Sequence, residues 1–159
     1  MSTIVASSEN VRSADSEQLI KELSAELAAL YEVSDGGAGF HPEDVEQPRS
    51  AFVVARLNGY PVGCGALRPL DDNAAEIKRM YTRSDYRRQG VGQAIIAELE
   101  RLALEFGYAS LKLQTGPLQP EAVKLYERVG YYPIPRFEGD WELVHAYRKD
   151  LVPAEINRP

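Results

Sequence analysis

The chain has 159 residues, 44% hydrophobic and 26% charged, a size that suits one compact domain and a composition that excludes wholesale disorder. Its formal net charge of -6 argues against a surface built for nonspecific nucleic-acid binding, and its single cysteine, Cys64, excludes an internal disulfide. Met1 to Arg12 is too polar for a signal peptide and no run nears the ~20 apolar residues that span a bilayer, so a cytoplasmic protein that binds neither membrane nor nucleic acid is expected.

Leu19, Leu23, Leu27 and Leu30 recur at helical spacing and predict a helix over 18–33, with Asp15 or Ser16 as its cap. Ser34 to Ser50, with Asp-Gly-Gly, His-Pro and Gln-Pro, reads as a long loop containing at most a short helical turn. Two strands over 51–57 and 62–67 flank the turn Asn58-Gly59-Tyr60-Pro61, and a third is predicted over 75–82. Val91, Ile95, Leu99, Leu102 and Phe106 then form one helical stripe that Gly107 ends. Ala109 to Thr115 alternates as a strand does, Pro120 opens another helix that Gly130 stops, and two strands close the chain, the second over 143–148. The strand–helix–strand step over 75–115 calls for a parallel crossover. The expected class is therefore α/β: a mixed, mostly antiparallel sheet with helices on both faces.

Lys78, Arg79, Arg83, Arg87 and Arg88 fall within eleven positions of an otherwise acidic chain. Such a run is either a solvated, salt-bridged strand end or the site of a local anionic ligand. The stretch Arg87-Arg88-Gln89-Gly90-Val91-Gly92 lies between a predicted strand and a long helix. The first turn of a helix carries unpaired N–H groups and the positive end of the macrodipole, and glycines let backbone approach a phosphate closely. A P-loop would need Gly-Lys-Ser/Thr, which is absent, and a dinucleotide fingerprint would need a third glycine where Ile95 stands.

Three ordered segments here resemble the GCN5-related N-acetyltransferase (GNAT) family. Arg87-x-x-Gly90-x-Gly92 is similar to that family's Gln/Arg-x-x-Gly-x-Gly/Ala signature. Ala75 to Thr82 resembles its fourth strand. Ala122-x-x-Leu125-Tyr126-x-x-x-Gly130-Tyr131 resembles its last helix. The resemblance implies a single N-acetyltransferase domain over 1–159, with core motifs at about 52–131. It implies acetyl-CoA as cosubstrate, its pyrophosphate on the loop Arg88, Gln89, Gly90, Val91, Gly92 and Gln93 with Arg87 beside it. It places the pantetheine arm along Met80, Tyr81 and Thr82 as a pseudo-strand. The thioester would lie where Thr82 and the segment Leu113 to Thr115 diverge. One departure is Gln119, where the family often has an asparagine contacting the cofactor.

Acetyl transfer to an amine needs a neutral amine, a stabilised oxyanion and a protonated leaving thiolate. Since an alkylammonium has a pKa of about 10, a base or a deprotonated substrate is required. Glu76 precedes Arg87 by eleven residues, which the resemblance makes the offset of a general-base glutamate. Lys78 shares its strand face, so another reading is a surface Glu76–Lys78 pair, with a water chain as the base, as the resemblance also allows. Tyr126 matches the family tyrosine proposed as general acid; by spacing alone it continues the helical core face of Ala122 and Val129.

His41, His145 and Cys64 lack metal-ligand spacing, so no metal is expected, and Cys64 reads as a small buried apolar residue. The resemblance implies as acceptor a primary amine of a small molecule or peptide. Asp35, Glu43, Asp44, Glu46, Glu138, Asp140 and Glu142 suggest an acidic rim that attracts a cation, or acidic loops that only confer solubility. Two functions follow: an acetyl-CoA-dependent N-acyltransferase acting by direct attack in a ternary complex, as monomer or homodimer, or a noncatalytic acyl-CoA-binding sensor of the same fold.

Overall fold

A computed structural model describes residues 3–152. Its centre is a seven-stranded sheet: β1 (Ile4–Ser8), β2 (Ala51–Leu57), β3 (Tyr60–Pro69), β4 (Ala74–Thr82), β5 (Ser110–Thr115), β6 (Tyr132–Ile134) and β7 (His145–Asp150). Their spatial order is β1-β2-β3-β4-β5-β7-β6. Only β4 and β5 run parallel, as the intervening helix α2 (Val91–Glu105) requires. The remaining helices are α1 (Ala14–Tyr31) and α3 (Pro120–Arg128).

The β2–β3 hairpin turns at Asn58 and Gly59, both at positive φ (51° and 89°), the handedness that suits the twist of paired strands. On one sheet face Val53, Ala55, Val62, Leu67, Ala75, Ile77, Leu111 and Leu113 pack against the predicted α2 stripe, with Val91, Ile95 and Leu99 buried. On the other, Phe52, Val54, Cys64 and Ala66 meet Leu19 of α1. Helices thus cover both faces, as the order of the elements implied.

Three differences from the sequence expectations have physical causes. The strand β1 was not predicted; it is an edge strand of five residues whose Val5 is exposed, so it carries little hydrophobic pattern. Helix α1 starts at Ala14, four residues earlier than expected, and its cap is Ser13, whose side chain accepts from the Ser16 N–H. The expected caps are engaged elsewhere: Asp15 pairs with Arg56, and Ser16 is buried with its hydroxyl on the Asn10 carbonyl. The leucine stripe also fades along α1, since Leu19 and Leu23 are buried while Leu30 is exposed.

Arg79 breaks the alternation of β4. The β3–β4 register shifts between Cys64 and Ala66, and Arg79 takes φ 55° opposite Gly65. Such a bulge redirects a side chain. Arg79 is buried beneath α1, donating to Ser24 Oγ (2.7 Å) and the Gly36 carbonyl (3.2 Å). Met80 consequently points to the α2 side, where its sulfur abuts Gly65. The basic run is therefore split: Arg79 ties the sheet to α1, and Arg83 pairs with Glu22 of the same helix.

Candidate active site

The parallel pairing of β4 with β5 runs from Ala74–Ser110 to Ile77–Leu113 and stops. β5 continues along β7, with Gln114 opposite Ala146 and Thr115 opposite His145. β4 continues along β3, with Tyr81 opposite Cys64 and Thr82 opposite Gly63. From Lys78 to Thr82 the edge of β4 that faced β5 therefore has no strand partner. An extended group can pair with such an edge as a further strand would.

The glycine loop lies just beyond. Gly90 caps α2 at φ 88°, a conformation that disfavours any side chain, and no heavy atom lies within 4 Å of where its Cβ would be. No side chain caps this helix and no acidic residue stands in its first turn. The segment Arg87 to Gly90 that leads into the helix is exposed, and the first turn of a helix has unpaired N–H groups, an arrangement suited to phosphate. Gly92 has a second reason to be glycine: a Cβ there would meet Leu125 Cδ2 at 2.6 Å, so α2 and α3 approach closely at this point. Arg87 donates to the Thr82 carbonyl (2.9 Å) and to Glu26 of α1 (2.7 Å), while Arg88 and Gln89 are exposed.

Tyr126 is the one buried residue of α3, and its ring packs edge-on against Tyr131 at 5.9 Å. Burial pushes its phenol pKa up, which keeps the proton on at neutral pH. Among the described residues its hydroxyl has no hydrogen-bond partner.

Glu76 is 2% exposed, so the surface Glu76–Lys78 pair is corrected: the carboxylate is interior, and Lys78 Nζ stands 3.9 Å away. Its nearer partner is Arg68, directly opposite on β3, whose Nη2 and Nε approach Glu76 Oε1 at 3.0 and 3.1 Å. Burial raises the Glu76 pKa, opposed by Lys78 and Arg68. Sequence reasoning missed Arg68. Its alignment with Glu76 across the β3–β4 turn was the available signal.

Two loops converge on this pair. Asp44, in the 3-10 turn Pro42–Val45, lies 3.0 Å from Arg68. Glu138, in the loop between β6 and β7, meets both Arg68 (3.2 Å) and Lys78 (3.4 Å). The acidic rim is thus largely paired, because Glu43 and Glu46 bond Arg12 as well. The loop of Glu138 also meets the end of α1, where Trp141 and Tyr31 pack edge-to-face at 5.5 Å. The Tyr31 hydroxyl donates to Gln119 Oε1 at 3.0 Å, and that oxygen also accepts from the Gly116 N–H.

A sequence profile of the acetyltransferase (GNAT) family matches residues 16–131. The chain belongs to that family. It is 32% identical over 118 residues to an IAA acetyltransferase of Azospirillum brasilense, covering 72% of this chain and 74% of that one. Two further curated relatives are spanned over 32% and 60% of their length. Among solved structures, a protein from Klebsiella pneumoniae assigned as an acyl-CoA N-acyltransferase superposes with a TM-score of 0.75 at 29% identity, covering 96% of this chain and 99% of that one. A GNAT acetyltransferase from Elizabethkingia anophelis, solved with acetyl-CoA bound, shares the fold at 18% identity with a TM-score of 0.68, over 93% of this chain and 98% of that one.

This GNAT protein is an acyl-CoA-dependent N-acyltransferase. Among the described residues no three His, Cys, Asp or Glu side chains are grouped to hold a metal, and no helix is long and apolar enough to cross a membrane. Cys64 is buried, with its thiol pushed up to about 12 by burial.

Proposed function

We propose that the protein transfers an acetyl group from acetyl-CoA to a primary amine of a small molecule or peptide by direct attack in a ternary complex. The observation that carries this reading is the divergence of β4 and β5 after Ile77 and Leu113, beside the uncapped N-terminus of α2. Acetyl-CoA supplies an activated thioester. The N–H groups of the Arg88 to Gln93 loop would hold its pyrophosphate, and Met80, Tyr81 and Thr82 would pair with its pantetheine arm. Arg87 braces the loop through Thr82 and Glu26 and adds positive charge beside it.

Glu76 takes the amine's proton. Its raised pKa, caused by burial, brings it closer to the working range of a general base. Tyr126 holds its proton and gives it to the departing sulfur; its hydroxyl has no competing partner among the described residues. The amine nitrogen bonds to the acyl carbon as the carbon–sulfur bond breaks. Products are the amide and the free thiol. The test is a screen of amines with acetyl-CoA, reading thiol release. Turnover on any acceptor supports the transferase; CoA binding without turnover across the screen supports an acyl-CoA sensor instead.

A further inference from the structure

The geometry points to an acceptor that carries a carboxylate next to its amine, an α-amino acid, recognised by Arg68 and Lys78 at a position now held by the side chain of Glu138. This rests on the amine-acetylating reading above and adds the class of acceptor to it.

Arg68 and Lys78 project from neighbouring strands onto the α1 face of the sheet, beside Glu76. Glu138 lies across both. Arg68 Nη2 donates to its Oε1 and Oε2 at 3.3 and 3.2 Å, and Lys78 Nζ donates to Oε1 at 3.4 Å. These contacts are longer than those Arg68 makes with Asp44 and Glu76, both at 3.0 Å, and charge-assisted bonds are strongest when short. Glu138 is also the most exposed of the three carboxylates, at 39%. It arrives on a loop rather than a strand, with the loop's backbone held at Phe137 and Glu138 by Gln114. The chain thus presents two cations, on rigid strands, to a carboxylate that the loop supplies and can withdraw while its backbone stays anchored.

An incoming carboxylate would exchange with that of Glu138 and keep both cations paired. The amine of an α-amino acid is two bonds from its carboxylate carbon. Seated on Arg68 and Lys78, it falls beside Glu76, the group assigned to take its proton. To reach Asp44, Glu76 or Glu138 a polyamine would have to displace Arg68 or Lys78, since each of these carboxylates is within 3.4 Å of one of them.

The test is calorimetry on the CoA-saturated protein, titrated with the standard L-α-amino acids, their amides, and spermidine, with thiol release from acetyl-CoA read on the same panel. At least one amino acid should bind roughly 10- to 100-fold more tightly than its amide, the range that bonds to a charged group supply. Lys78→Met should erase most of that preference. Glu138→Gln should bind the same amino acid several-fold more tightly, because it removes the competing carboxylate; a merely structural Glu138 would give weaker binding. Amides or spermidine binding as well as any amino acid, no amino acid binding at all, or weaker binding in Glu138→Gln would each overturn the inference. Discrimination by binding without thiol release would sustain this site and sink the transferase reading; thiol release with amides preferred would do the reverse.

Discussion

Arg68 Nη2 lies 3.0 Å from Oε1 of Glu76, and the two residues are directly opposite on neighbouring antiparallel strands. Breaking a buried pair by removing one partner costs about 3–5 kcal/mol, because the other charge is left unpaired. Arg68→Met leaves Glu76 with only Lys78, at 3.9 Å, and should lose stability on that scale. The double variant Arg68→Met/Glu76→Gln should recover much of it. Additive losses in denaturant unfolding would show that the pair is uncoupled.

The pH dependence of stability follows from the same carboxylate. Burial raises the Glu76 pKa above its ordinary value of 4.5 in the folded chain. The folded state therefore holds this proton more tightly than the unfolded one. The associated stabilisation is complete below the unfolded value and is lost as pH rises through the raised folded value. Glu76→Gln lacks this titration. The stability of the wild type relative to the variant should fall as pH climbs from about 4 toward neutrality. A difference that does not change with pH would contradict the assignment. In turnover, Glu76→Gln should lose rate at neutral pH and regain part of it at alkaline pH, where the amine deprotonates unaided. Parallel pH–rate profiles for the two proteins would remove Glu76 as the base.

Gly90 combines a positive φ with an open surrounding, so a side chain there meets strain rather than a clash. Gly90→Ala should cost about 1 kcal/mol in stability and Gly90→Asp should in addition repel phosphate. Isothermal titration with CoA should show a large loss for Gly90→Asp and a small one for Gly90→Ala. Equal CoA affinity in the aspartate variant would move the phosphate site away from this loop.

Much of this arrangement was legible in the chain and some was not. Strands β2 and β3 show in the sequence because burial from both faces imposes near-continuous apolar runs, β5 shows by its alternation, and one-sided burial imposes a single stripe on α2. The glycine loop shows because local φ demands select residue type directly. The strand β1 does not, since an edge strand needs little apolar pattern. The bulge at Arg79 is also hidden: its cause is the tertiary pull of Ser24 and Gly36 on a buried guanidinium. Of the two readings of Glu76, the surface pair rests on the lysine two residues along the strand, which is the neighbour visible in the sequence. Its nearer partner, Arg68, comes from β3 across an intervening turn. The loops that bring Asp44 and Glu138 together are separated by ninety-odd residues, and no local rule encodes their meeting.

Tyr126→Phe separates chemistry from packing. The ring contact with Tyr131 survives, and the lost hydroxyl has no hydrogen bond among the described residues. The melting temperature should hardly move. A positioned general acid contributes roughly 10²- to 10⁴-fold in rate, so turnover should fall by that factor while acetyl-CoA still binds. A folded variant with near wild-type turnover would leave thiolate departure to solvent.

Direct attack in a ternary complex is tested most plainly by initial rates measured with acetyl-CoA and amine varied together. The only cysteine, Cys64, is buried beneath α1 with its thiol pushed up to about 12, which disfavours it as a carrier of an acyl group. Double-reciprocal lines should therefore intersect, as they do when both substrates are bound before the acyl group moves. Parallel lines would reveal an acetylated enzyme intermediate and contradict the mechanism.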